Sequence, residues 1–153
     1  MSVADNPEHC EAAERAACDR WPLEVVGDGE SDWFDAEVSA PISTELSDGP
    51  IVEVGTPVEV KSCRRRYGGR NGRWWIKRAN HERLLGRDGE YVLAVRDASG
   101  DVLRLSLLSA RTVDAMISEW WDTGNGGGRD ADEFRQIPWS AVFESVDPAG
   151  GSR

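Results

Sequence analysis

Lysine is almost missing from this chain of 153 residues: Lys61 and Lys77 stand against sixteen arginines. Cysteine is sparse too. Cys10, Cys18 and Cys63 are odd in number and lack CxxC spacing, which argues against a disulfide framework or a zinc knuckle and favours reduced thiols. Two histidines, His9 and His81, are too few for a His-based metal centre without other ligands. No apolar run approaches the ~18–20 residues of a membrane helix, and the N-terminus lacks a charged-then-apolar signal pattern. The expectation is a soluble, cytoplasmic protein with no membrane association.

Acids are what the chain has in excess, with a net charge of −10. The excess is uneven. Residues 1–60 carry fifteen acids and two bases, whereas residues 61–78 carry eight bases and no acid. An acidic, lysine-poor surface suits a protein kept soluble in concentrated salt, so composition alone suggests a halophilic archaeal source.

Asn6-Pro7 followed by the Ala-rich stretch Glu8 to Arg20 predicts an amphipathic helix, with Cys10, Ala13, Ala17 and Trp21 on one face and Pro22 as its stop. Trp33 to Val38, Ile51 to Val54 and Pro57 to Ser62 read as strands, with a loop over Pro41 to Pro50. Tyr67 to Gly72 is turn chemistry, and Arg73 to Lys77 reads as a strand forming a hairpin with the Glu59 strand. A short helix over Ala79 to Leu85 follows, then strands Tyr91 to Arg96 and Val102 to Leu107 around the turn Asp97 to Gly100. The remainder predicts a helix over Thr112 to Trp121, a loop at Gly124 to Gly128, and an edge strand from Phe134 to Phe143 interrupted by Pro138. Together these make a mixed α/β (α+β) domain spanning residues 1–153, with a core over about 8–108 and a C-terminal elaboration over about 109–146.

Glu59 and Lys61 sit two apart on the third of these strands, so both project from one face roughly 6–7 Å apart. With Asp35 upstream they form a D…ExK arrangement, with 23 residues between Asp35 and Glu59. ExK alone is weak, because many strands carry one Glu and one Lys on a wet face. In that bland reading the pair is an exposed ion pair worth at most ~1 kcal/mol. The upstream strand, the acid-free basic stretch and the helix carrying Asn80 and His81 add context.

On these residues the chain resembles the PD-(D/E)xK nuclease superfamily, and within it archaeal Holliday junction resolvases and related endonucleases, over about Glu11 to Val95. The resemblance implies a restriction-endonuclease-like core: an N-terminal helix, a mixed central sheet, a helix after the third strand, and here an extra C-terminal helix and strand. It implies as site residues Glu14 (Glu11 the rival), Asp35 (Asp32 and Asp48 competing), Glu59 and Lys61, and Asn80 where the resolvases carry Gln. It further implies a Mg²⁺-dependent endonuclease acting on DNA, with Mn²⁺ as a substitute, working as a homodimer. The Pro41–Pro50 insertion lengthens the Asp-to-Glu spacing, and nothing from Val102 onward has a matched counterpart.

The residue types suit that chemistry. Asp35, Glu59 and the Val60 carbonyl offer oxygen ligands to a hard cation that keeps several waters, and Lys61 could orient an attacking water or take its proton. Arg64, Arg65, Arg66, Arg70, Arg73, Lys77 and Arg78 make a candidate phosphate-binding track, since the arginine fork matches phosphate oxygens. Tyr67 at the turn could stack on a base. Of the adjacent Trp74 and Trp75, one should face the core and one solvent; Trp33, Trp120, Trp121 and Trp139 are expected to be packing residues. His81 is expected half-buried or exposed on its helix, and Cys63 has no assigned role. Two other functions compete: a catalytically inactive nuclease-fold module that only binds nucleic acid, and an interaction protein that uses its tryptophans.

Overall fold

The computed structural model describes residues 7–26, 34–43, 51–117, 121–122 and 133–146. Trp33, Asp32, Asp48, Trp120 and the Gly124–Gly128 run lie outside them, as do the side chains of Cys10, Glu11, Tyr67 and Trp121.

Helix α1 (Pro7–Arg20) begins on the proline, whose fixed φ and missing N–H suit a first helical position. Its buried residues Ala13 and Ala17 are small, so the helix backbone can lie close to a sheet; Trp21, also buried, closes the helix end. The sheet has five strands in the order β1 (Leu23–Val25), β2 (Ala36–Val38), β3 (Pro57–Arg64), β7 (Glu90–Arg96) and β8 (Val102–Ser109). Only β3 and β7 run parallel; every other neighbouring pair is antiparallel. A parallel pair needs a crossover. Here it comprises the small hairpin β4 (Arg66–Tyr67) and β5 (Arg70–Asn71), then β6 (Arg73–Lys77) and helix α2 (Arg78–Gly86).

Both faces of the sheet are covered, which is why β7 reads Glu-Tyr-Val-Leu-Ala-Val without alternation and is buried throughout that run. Val58, Val60, Val92, Leu105 and Leu107 pack with Ala17 and Trp21 on the α1 side. Cys63, Tyr91, Leu93 and Val95 pack on the other side against Trp74, Ile76, Leu84 and Val113. Each fully buried Val or Leu contributes about 1.5–3 kcal/mol.

Several expectations need correction. The Arg73–Lys77 strand forms no hairpin with the Glu59 strand. β6 pairs instead with β10 (Glu133–Pro138), which also pairs with β9 (Trp121–Asp122), in a second, three-stranded sheet. The reason lies at the crossover. Gly68 and Gly69 take positive φ and reverse the chain within the β4–β5 hairpin. Gly72 then crosses the Arg64 backbone so closely that a Cβ there would collide with the Arg64 carbonyl. The chain thus climbs over the sheet, and Trp74 and Ile76 bury on its face rather than at its edge. The Trp74 indole donates to the Ala94 carbonyl at 2.9 Å.

β10 is central rather than an edge strand. Pro138 is its last residue, opposite Arg73, where the ladder ends and a missing N–H costs little; a 3₁₀ turn over Trp139–Ala141 follows. Ile51–Val54 is no strand: Val52 alone bridges Ile42, and Ile51 and Val54 are exposed. The C-terminal helix is α3 (Ala110–Ala115), earlier and shorter than expected, because the Ser109 hydroxyl caps it by accepting from the Thr112 amide at 3.0 Å. β1, just past Pro22, was not anticipated.

Candidate active site

The antiparallel ladder between β2 and β3 stops at Ala36 opposite Val58. Asp35 continues it by other means. Its amide donates to the Val58 carbonyl at 3.0 Å, and its carboxylate accepts the Val60 amide at 2.8 Å. A side chain thus stands where the next backbone rung would be, pinning the carboxylate against the edge of β3. The N–H and C=O of one strand residue point to the same edge, so the Val60 carbonyl also faces Asp35.

Glu59 and Lys61 flank Val60 on the opposite face of β3 from α1. Their ion pair spans 3.2 Å, with the Glu59 side chain 12% and the Lys61 side chain 26% exposed. Burial pushes the Glu59 carboxyl above its ordinary range; the Lys61 ammonium pulls it down and the Asp35 charge pushes it up. Burial likewise raises Asp35, against the lowering by the Val60 amide and by Lys61. Burial disfavours the ionised form of both carboxylates, and the Asp35 charge adds to this at Glu59. The single Lys61 ammonium opposes it at both, so a further positive charge would stabilise the ionised pair. That electrostatic demand is for a cation.

Among the described residues no group of three His, Cys, Asp or Glu side chains gathers in a way that could hold a metal ion. The donor set at this place is therefore two carboxylates and a backbone carbonyl, all oxygen. That set fits a hard divalent ion that keeps most of its waters, and does not suit a metal needing a sulfur or imidazole cage. Glu14 is half-buried on α1, which covers the Val58 and Val60 face, and its charge acts on Cys18 one turn on. Asn80 is half-buried in the first turn of α2.

His81 departs from expectation. It is only 1% exposed, stacked on Tyr91, with Nδ1 2.7 Å from the Tyr91 hydroxyl and Nε2 3.0 Å from Asp114 Oδ1. With a carboxylate facing Nε2, that nitrogen carries the proton and Nδ1 accepts from the tyrosine. Tyr91 is the register partner of Glu59 on the neighbouring parallel strand. Burial raises the Tyr91 hydroxyl pKa, as do the Glu59 and Asp114 charges. A network of buried His81 and Tyr91, closed by the half-exposed Asp114, thus borders the Glu59 side chain. Nothing in the spacing of His81, Tyr91 and Asp114 could have exposed it, because it depends on how α2 and α3 pack against β7.

The basic residues separate into groups. Arg65 is half-buried and its Nε donates to the Val146 carbonyl at 2.7 Å, while the Trp139 indole donates to the Arg65 carbonyl at 2.8 Å. Arg65 is therefore a staple for the C-terminal segment. Arg66 bonds Asn71 across the hairpin at 2.9 Å, and Arg78 pairs with Glu82 at 2.8 Å. Arg64, Arg70, Arg73 and Lys77 are exposed. Cys63 is buried with its thiol pushed up to about 12, an unreactive core residue.

A mixed sheet wrapped by helices, with an aspartate at the mouth of one strand and Glu-x-Lys on the next, is the core of a restriction-endonuclease-like fold. The family model described as the PD-(D/E)XK nuclease superfamily domain matches residues 1–144, and the chain belongs to that superfamily. Neither a curated protein nor a solved structure matches it. Members of the superfamily are usually hydrolytic nucleases that use divalent metals such as Mg²⁺.

Proposed function

We propose that the protein is a Mg²⁺-dependent endodeoxyribonuclease whose site is built from Asp35, Glu59, the Val60 carbonyl and Lys61. The observation that carries this reading is the Asp35 carboxylate held on the Val60 amide, beside a half-buried Glu59 paired with Lys61. Asp35, Glu59 and the Val60 carbonyl would hold the metal. When bound, it supplies charge neutralisation at the scissile phosphate and lowers the pKa of a coordinated water. Lys61 orients the attacking water and, once its carboxylate partners are engaged elsewhere, can exchange a proton with it. Glu14 and Asn80 are assigned supporting roles from the helices, as the resemblance to resolvases implies.

The same resemblance makes branched DNA the first substrate to test, with the protein as a homodimer in the cytoplasm of a halophile. Exposed Arg64, Arg66, Arg70 and Arg73 supply the phosphate track. At high salt the counterion-release gain of such contacts shrinks, so hydrogen bonds and shape must carry more of the affinity.

A panel of branched and linear DNAs with Mg²⁺, Mn²⁺ or EDTA in concentrated KCl tests the proposal. Cleavage should require metal and vanish in both Glu59→Ala and Lys61→Ala while DNA binding survives. Nicking retained by both purified variants would end it. Binding without cleavage by the parent protein would favour an inactive DNA-binding module.

A further inference from the structure

The outer face of the second sheet is not used by the hydrolytic site. β6 alternates strictly: Trp74 and Ile76 are buried, whereas Arg73, Trp75 and Lys77 are exposed. Trp75 is 54% exposed, next to a tryptophan that is 1% exposed. Phe134 on β10 holds the Trp75 ring edge-to-face, with centroids 5.0 Å apart and planes at 79°. Gln136 lies directly opposite Trp75 and Pro138 opposite Arg73. Among the described residues this face of β6 and β10 presents no acid, in a chain whose net charge is −10.

We propose that Trp75, flanked by Arg73 and Lys77 and braced by Phe134, is a binding platform for an unpaired DNA strand. This deepens the nuclease reading and rests on it for the choice of DNA. Three observations select the occupant. Two exposed cations, Arg73 and Lys77, either side of the indole complement a phosphate backbone. A large exposed indole with a fixed orientation suits stacking on a nucleobase, which every base permits through its π-face. A base in a duplex has both faces occupied by its neighbours and offers none.

Spacing agrees. Residues i and i+2 on one strand face lie roughly 6–7 Å apart, about twice the 3.4 Å rise per nucleotide of a stacked duplex strand. The Arg73–Trp75–Lys77 row therefore fits an extended, unstacked strand, with one base on the indole and phosphates to either side. Its position links it to the site. Lys77 immediately precedes α2, whose first turn bears Asn80, and the buried face of β6 packs in one cluster with Cys63 of β3. Arg73 and Lys77 thus gain a defined task within the basic track, and Trp75 becomes its specificity residue for single strands.

Fluorescence anisotropy in EDTA, which separates binding from cleavage, tests the platform with a labelled 20-nucleotide mixed-sequence strand and the same strand in duplex. Trp75→Ala should weaken single-strand binding about tenfold, with less than a twofold change on duplex. Trp75→Phe should keep most of the affinity, and Trp75→Leu, apolar but without a π-face, should lose it. The salt slope should stay unchanged in Trp75→Ala, but flatten by about 1.4 in the Arg73→Gln/Lys77→Gln double variant. Wild-type single-strand affinity in folded Trp75→Leu, an equal loss on duplex, or no single-strand binding by the parent protein would overturn the proposal. Failure of metal-dependent cleavage alone would instead count against the hydrolytic reading.

Discussion

The two sheets of this molecule hold their charges in opposite ways. On β3 of the five-stranded sheet the charged groups are few, half-buried and coupled: the Lys61 ammonium lowers the proton affinity of both Asp35 and Glu59, and the Asp35 charge raises that of Glu59. On β6 of the three-stranded sheet Arg73 and Lys77 are exposed on one face, either side of Trp75. The first arrangement is suited to a single ion with a fixed geometry, and the second to a flexible polyanion. Substitutions in the first should therefore act all-or-none, and those in the second by degrees.

The largest expected effect is on chemistry. Lys61→Ala and Asp35→Asn should each reduce single-turnover cleavage about a thousandfold or more, since each removes an interaction worth several kcal/mol in the transition state. A loss of less than tenfold in either would show that the β3 charges are as independent as those on β6. Next comes the contrast within one dipeptide. Trp74→Ala should cost about 3–5 kcal/mol of folding stability through cavity formation and the lost bond to Ala94. Trp75→Ala should cost no more than about 0.5–1.5 kcal/mol, the value of its contact with Phe134. Equal denaturation midpoints for the two would refute the in/out assignment.

A smaller effect concerns pH. Burial raises both Asp35 and Glu59 above the ordinary carboxylate range. Each must be ionised to hold a cation, so Mg²⁺ affinity should fall as pH drops through these raised values, earlier than for solvated carboxylates. Titrating metal binding between pH 7 and pH 4 checks this; an acid limb at the ordinary carboxylate position would contradict it. Smallest is the phosphate track. Arg64→Gln or Arg70→Gln should lower duplex affinity modestly and reduce the salt slope by about 0.9 each, with cleavage chemistry unchanged at saturating DNA.

Local signals in the chain were enough for some elements and insufficient for others. Pro7, the Ala-rich face and Pro22 marked α1, and Tyr67 to Gly72 could be read as a turn, because these depend on neighbouring residues alone; which strands the turn joins could not. β7 was legible as a continuous apolar run, which a strand buried on both faces must be. Asp35 and the Glu59–Lys61 pair could be picked out by residue type and order. What could not be read was pairing. Arg73–Lys77 alternates in the same manner whether it joins β3 at its edge or lies above it, and only the tight crossing at Gly72 decides. The β10 strand looked like an edge because of Pro138, yet a proline at a strand's last position reveals little about its neighbours. His81 looked like a surface residue of a short helix, since its partners Tyr91 and Asp114 lie 10 and 33 residues away.

The sign of the site's stability contribution follows from the same electrostatics. A carboxyl whose folded pKa is raised binds its proton more tightly in the folded protein. Stability is then lost as pH rises through the folded value, and at neutral pH the ionised pair weakens the metal-free fold. Removing one charge relieves this, whereas a bound cation relieves it without mutation.

Thermal unfolding of the wild-type protein and Glu59→Gln at neutral pH, each with and without Mg²⁺, puts the cation-binding pair to the test most directly. Without metal the variant should melt above wild type, and Mg²⁺ should raise wild type but leave the variant unmoved. A variant that melts lower without metal, with both proteins shifted equally by Mg²⁺, would contradict the account.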